Sequence, residues 1–153
     1  MPAIREALPE ALLLVVGEFW DSPDPYRERI AASGLTDAVR IVDRYMPNEE
    51  VPPYFYAADL VVAPYRRATG SGVVQTAIGF GAPLLTTVGD LFDGLTLPPG
   101  CLLAPPRDSA ALAAAAIEFL SRPAAERQDM GTRSLQTAFS WERLVEALET
   151  AIL

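Results

Sequence analysis

Residues 59–87 read DLVVAPYRRATGSGVVQTAIGFGAPLLTT, and their order decides the fold class. Asp59-Leu-Val-Val-Ala63 is a short apolar run closed by Pro64, the length of a strand buried on both faces. A polar, glycine-punctuated loop follows, from Tyr65 to Gly72. Val73 to Phe80 then reads as a helix, Gly81-Ala82-Pro83 ends it, and Leu84-Leu-Thr-Thr87 is the next strand. Strand, loop, helix and strand in succession predict a parallel sheet, because parallel neighbours need a crossover connection.

The alternation extends in both directions. Leu12-Leu-Leu-Val-Val16 ends at Gly17 and has no polar alternation, so it too reads as a parallel strand. Asp21-Ser-Pro-Asp-Pro25 is a turn cluster that opens a short helix from Tyr26 to Ser33, stopped by Gly34. Ala38-Val-Arg-Ile-Val42 is a further strand. A helix is predicted to open at Pro47-Asn48, with Glu49 and Glu50 at its positive end and Pro52 and Pro53 in or near its first turn. Cys101-Leu-Leu-Ala104 is a fifth strand, and Asp108-Ser109 caps an alanine-rich helix from about Ala110 to Leu120. Pro123 to Thr137 and Trp141 to Leu153 read as two more helices, the last with Leu144, Leu148 and Ile152 on one face. No repeat or low-complexity linker divides the 153 residues, so a single domain is expected.

Composition removes much familiar chemistry. There is no His and one Cys, Cys101, so a Ser-His-Asp triad, a Cys-His pair, a disulfide framework and the usual zinc sets cannot be built within the chain. All 12 basic residues are Arg, which excludes a phosphate-loop lysine and Schiff-base catalysis. The net charge of −8 argues against a nucleic-acid footprint, although one local Arg can still meet one phosphate group. Mean hydropathy is +0.19, no uncharged run reaches the ~18 residues of a membrane span, and the amino end lacks a signal core. The expectation is a cytoplasmic protein without a transmembrane segment.

In parallel sheets ligands bind beyond the carboxyl ends of the strands, and the loop from Tyr65 to Gly72 sits at such an end. Gly70-Ser71-Gly72 opens a helix, so the backbone N–H groups of Ser71, Gly72 and Val73 and the helix dipole can cradle a phosphate. An ordinary tight turn is the alternative. Gln75 stands where a dinucleotide fingerprint needs its third glycine, and no Gly-Lys pair exists for a nucleotide-triphosphatase loop. Arg66 and Arg67 flank the loop, and one of them suits a bidentate phosphate contact. Asp59 reads as a cap or turn residue, Asp90 and Asp93 as loop residues serving turns, and Tyr54-Phe-Tyr56 as a helix face packed on the sheet.

The stretch from Ala38 to Asp90 resembles the donor-binding half of glycosyltransferase family 4, or group 1. The likeness is carried by Val39 to Val51, Tyr54 to Tyr65, Ala68-Thr-Gly-Ser-Gly-Val-Val74 and Ala77 to Leu84, with later landmarks at Leu102 to Ser109 and Phe139-Ser-Trp141. It implies the carboxyl-terminal half of a GT-B enzyme: a Rossmann-like, three-layer α/β/α domain with a parallel sheet. Its substrate would be a nucleotide-diphosphate sugar, transferred with retention, with neither metal nor cofactor. By the same resemblance Gly70, Ser71, Gly72 and Val73 hold the donor diphosphate, Arg44, Tyr45 and Met46 border the nucleobase, and Thr76 faces the ribose. Two Glu residues common in the family correspond to Ala68 and Thr76, so neither carboxylate is present.

The family's first strand and helix of this half, and its acceptor domain, would precede Met1. The expectation is therefore a donor domain that acts with an acceptor domain and is inactive alone, its terminal apolar face of Leu144, Leu148 and Ile152 either exposed here or buried in a homodimer. The alternative is a non-catalytic Rossmann-like interaction or regulatory module that has lost the donor site. A flavodoxin-like receiver is disfavoured, since no acidic cluster follows the first strand and no Lys is present.

Overall fold

The computed structural model describes residues 1–66, 71–87, 98 and 100–137. In chain order these form α1 (Pro2–Ala7), β1 (Leu13–Val16), α2 (Asp24–Ala32), β2 (Val39–Val42), a 3-10 turn (Asn48–Glu50), α3 (Pro52–Ala57), β3 (Val61–Ala63), α4 (Gly72–Gly79), β4 (Leu84–Thr87), β5 (Cys101–Ala104), α5 (Ser109–Leu120) and α6 (Ala124–Thr137). The expected helix over 141–153 and the loop bearing Asp90 and Asp93 lie outside the described residues.

Every strand pair is parallel. β1 pairs with β2, Leu13 opposite Val39, and β4 runs between β3 and β5, with Leu84 opposite Val61 and Cys101. As the middle strand, β4 is buried along its whole length, which is why Leu84-Leu85-Thr86-Thr87 shows no solvent-facing alternation. Successive side chains face opposite layers. Leu84 packs with Ala63, Val74, Ala77, Ile78 and Ala82 under α4, whereas Leu85 packs with Ala104 and Ala116 on the α5 side. The result is a three-layer α/β/α unit, with α4 against α6 on one face and α1 against α5 on the other.

The hydrogen-bonded ladders are β1-β2 and β3-β4-β5, each parallel as expected. Among the described residues β1 and β3 each keep one unpaired edge, and Leu14 and Val62 on these strands are exposed. The helix expected from Pro47 is divided. Pro52 and Pro53 have no N–H to give to the carbonyls of Asn48 and Glu49, so the 3-10 turn stops and α3 starts at the prolines. Unanticipated is α1, six residues that are too few to persist alone; Ile4 holds it by packing beside Leu60, Leu85 and Ala116.

Capping sets the ends of α5. Asp108 accepts from the N–H groups of Ala110 (3.0 Å) and Ala111 (2.9 Å), as its position before the alanine run requires. Gly131 sets how closely α6 lies on the turn between α4 and β4: a Cβ there would stand 2.0 Å from the Gly81 carbonyl oxygen.

Candidate functional site

At the carboxyl end of β3 the chain is fastened by two hydroxyls from the buried strand beside it. Thr86 Oγ1 donates to the Ala63 carbonyl (2.9 Å) and Thr87 Oγ1 to the Tyr65 carbonyl (2.5 Å). Threonines inside an apolar strand must find acceptors, and here they find the start of the glycine loop. The Tyr65 side chain then reaches across that loop, its hydroxyl 2.6 Å from Ser71 Oγ. Tyr65 thus holds both ends of the segment: its carbonyl to β4, its phenol to the residue that opens α4.

Ser71 is the N-cap of α4. Its Oγ accepts from the Val74 N–H (3.1 Å) and its carbonyl from the Gln75 N–H (3.2 Å). Of the first four helical N–H groups, those of Gly72 and Val73 have no acceptor among the described residues. Both residues are exposed, and a Cβ placed on Gly72 would meet no atom within 4 Å, so the approach is open. Two N–H groups without an acceptor among the described residues, on the positive end of a helix, have the chemistry to receive an anion. Thr76 stands one turn further on, on the same face as Gly72 and Val73. Arg66, exposed, lies at the near end of the loop. Gly70, Arg67 and Ala68 fall outside the described residues.

Arg44, Tyr45 and Met46 occupy a different loop, after β2. The Arg44 guanidinium is engaged by the Glu50 carboxylate and by the Tyr45 carbonyl (3.3 Å). The hydrogen bond to Glu50 is the main cause that raises its already high pKa. What this loop presents outward is Tyr45, 68% exposed, beside half-buried Met46. Asp43, just before it, accepts from the Phe19 N–H (3.1 Å), which ties the loops after β1 and β2 together.

Other candidates have structural employment. Asp59 is not a cap: it pairs with Arg127 Nη2 of α6 (2.7 Å), and Arg127 Nη1 also donates to the Leu120 (3.2 Å) and Arg122 (2.7 Å) carbonyls. This pair borders a recess of about 350 Å³, walled by Phe55, Tyr56 and Phe80. That recess lies at the amino ends of β3 and β4, opposite the glycine loop, and is no part of the site there. In the aromatic run Phe55 does pack on the α4 core and stacks on Phe80 (5.4 Å), whereas Tyr56 stays largely exposed. Burial pushes the Cys101 thiol up, only partly offset by its hydrogen bond to Ser134, so it is a poor nucleophile. Among the described residues no group of three or more His, Cys, Asp or Glu side chains is placed to hold a metal ion, and no helix is long and apolar enough to cross a membrane.

The sequence reading missed Tyr65, Thr86 and Thr87 as the parts that shape the loop. The available signal was the pair of hydroxyls, Thr86 and Thr87, at the end of a strand.

Comparison with known proteins agrees with this architecture. The sequence matches the model of the family described as Glycosyl transferases group 1 over residues 1–122. No curated protein matches it. Among solved structures, sucrose-phosphate synthase from Thermosynechococcus elongatus is 26% identical with a TM-score of 0.74, covering 99% of this chain and 40% of that one. Anabaena HepE, solved with UDP and glucose, is 18% identical with a TM-score of 0.72, covering 97% of this chain and 44% of that one. The carboxyl-terminal domain of a group 1 glycosyl transferase from Francisella tularensis is 15% identical with a TM-score of 0.74, covering 88% of this chain and 72% of that one. The chain thus spans less than half the length of the first two.

Proposed function

This chain belongs to the group 1 glycosyltransferases, and on that premise we propose that it is the donor-binding domain of a GT-B enzyme, holding a nucleotide-diphosphate sugar for retaining transfer. The observation that carries the reading is the pair of N–H groups on Gly72 and Val73 that have no acceptor among the described residues, presented by the Tyr65–Ser71 clasp. The diphosphate would accept from these N–H groups and from the backbone at Gly70 and Ser71, and Arg66 would add a bidentate contact. As the sugar departs, negative charge grows on the diphosphate. Fixed amide dipoles stabilise such charge without a proton donor or acceptor, which suits a chain without His or Lys. Thr76 would face the ribose. The base would lie against Tyr45 and Met46, with the Arg44 guanidinium held by Glu50 as a support beneath them. Complex formation with UDP by HepE supports trying uridine first. The acceptor would be bound by a second domain, in keeping with the share of the similar structures that this chain spans.

The test is calorimetric titration of the purified chain with UDP, GDP and ADP, repeated on Gly72→Pro. Proline suits this position: it is the first helical residue, its N–H has no intramolecular partner, and the preceding Ser71 is extended (φ −142°, ψ 111°), as a residue before proline should be. The variant keeps the fold and removes one phosphate donor. Losing a hydrogen bond to a charged group, ~1.5–3 kcal/mol, lowers affinity by about tenfold or more. Binding that ignores the substitution places the phosphate elsewhere. Absence of binding by all three nucleotides assigns the chain to the non-catalytic module instead.

A further inference from the structure

The recess of about 350 Å³ at the amino ends of β3 and β4 lies apart from the glycine loop, and its lining brings aromatic rings and acceptor groups together. Phe80 stacks on Phe55 (5.4 Å, 19°) and stands nearly at right angles to Tyr56 (5.2 Å, 80°). Tyr56 is 72% exposed, so most of its ring is uncovered. Asp59 is on the same wall: its Oδ1 is engaged by Arg127, and its Oδ2 accepts from no group among the described residues. Thr132 gives its hydroxyl proton to the Gln128 carbonyl (3.0 Å), which leaves its oxygen as an acceptor. Helices α3 and α4 both end at this wall, at Ala57 and just before Phe80, so the negative, carbonyl-bearing ends of two helices meet there. The one basic side chain among the lining residues, Arg127, is already compensated by Asp59 and by the Leu120 and Arg122 carbonyls. The amino end of α6 also lies on the wall, and Glu126 in its first turn offsets that positive end.

We propose that this recess binds a small organic ammonium ion, a primary amine carried on an aromatic or apolar body. The lining selects that class. Aromatic faces attract a cation through their electron-rich π-systems. An ammonium group has three donors and no acceptor, which matches the acceptors at Asp59 Oδ2 and Thr132 Oγ1. A neutral ring would cover the Asp59 carboxylate without giving it a donor, at a desolvation cost. An anion is opposed by the same carboxylate and by the net charge of −8, which draws cations toward the chain. The volume of about 350 Å³ falls within the ~300–1,000 Å³ of small-ligand sites. The recess is at the opposite end of the strands from Gly72 and Val73, so ammonium binding there is independent of nucleotide binding.

The test is ¹H–¹⁵N correlation NMR of the whole chain titrated with phenethylammonium to about ten millimolar, where a millimolar site is mostly filled. Saturable shifts are expected at the amides of Asp59, Phe80 and Gly81, with those of Gly72 and Val73 unmoved. Phenethyl alcohol, the same body without the charge, should bind several-fold more weakly, and phenylacetate should not bind. Tyr56→Leu, which keeps apolar bulk and removes the π-face, should lower affinity about two- to fivefold. Asp59→Asn should lower it several-fold and keep the fold, since the Asp59 side chain is 65% exposed. Nα-acetyl-lysine amide presents the same ammonium as a protein side chain would, and weaker binding than phenethylammonium is expected for a site that takes a free amine. Absence of shifts, equal binding of the alcohol, an affinity that either variant leaves unchanged, or lysine amide binding as tightly as phenethylammonium overturns the assignment. UDP in a separate titration should move Gly72 and Val73 instead, so the outcome at one site is read without the other.

Discussion

Removing the Tyr65 hydroxyl tests whether the glycine loop is held as its geometry implies. The pair is 2.6 Å apart and half-buried, so Tyr65→Phe should cost about 1 kcal/mol, the net worth of a neutral hydrogen bond. Ser71→Ala loses the same pair and also the N-cap on Val74, about 1 kcal/mol more, for a total near 2 kcal/mol. Once Ser71 is alanine, the Tyr65 hydroxyl has no partner left to lose there. The double variant should therefore also lie near 2 kcal/mol, a coupling of about 1 kcal/mol against the sum of the singles. Ser71→Gly, which spares most of the cap energy, should fall between the two single variants. Urea unfolding of all five proteins with a shared m-value reads these differences directly. For a domain of this size each 1 kcal/mol is about 2–4 °C in Tm. Single-variant costs that add within ~0.3–0.5 kcal/mol in the double variant would refute the clasp.

Four further outcomes follow from the same packing. Gly131→Ala should destabilise by about 1–3 kcal/mol or more in urea unfolding, because its Cβ would stand 2.0 Å from the Gly81 carbonyl oxygen and α6 must lift. Asp59→Asn should cost under about 1 kcal/mol, since Asp59 is 65% exposed and water screens its pair with Arg127. Arg127→Met should cost about 2 kcal/mol, because it also frees the Leu120 and Arg122 carbonyls at the end of α5. Cys101 should alkylate slowly in the folded chain at neutral pH and rapidly in denaturant. The folded thiol holds its proton more tightly than the unfolded one, so its contribution to stability is complete below the ordinary thiol pKa. It is lost as pH rises from there through the raised folded value, which unfolding scans across alkaline pH would detect.

What could be read from the letters was what local periodicity controls. The run Leu84 to Thr87 and the run Cys101 to Ala104 are strands at their expected bounds, because a short apolar run between breakers has few other uses in a parallel sheet. Asp108 capped where it should, because an Asx before an alanine run satisfies helix N–H groups whatever the fold. The departures arise where a distant partner decides. Helix α1 exists through Ile4 and its neighbours across α5, and nothing within six residues announces that. Pro52 and Pro53 were visible, but whether they opened a helix or interrupted one depended on the preceding turn. At the candidate site the glycines and Ser71 were legible, and the clasp was not. Tyr65 and Ser71 meet over six residues, and Thr87 reaches Tyr65 over 22, so only the paired strands bring them together.

Those long-range fastenings also bear on how an acidic chain can seat an anion. With a net charge of −8, the average field opposes a diphosphate, and no lysine is present to offset it. Salt screens that average field beyond about 8–10 Å, whereas donors in contact with the phosphate keep their full effect. Attraction must then come from dipoles fixed at contact distance, and an N–H group is useful for this only if its direction is set beforehand. Ser71 sets the first turn of α4 by capping Val74, leaving Gly72 and Val73 as the outward donors. Tyr65 sets Ser71, and Thr87 sets Tyr65 from the most buried strand of the sheet. The order of these donors is thus inherited from the core, and on the proposed reading hydroxyls that would never touch the ligand set how well it would be held.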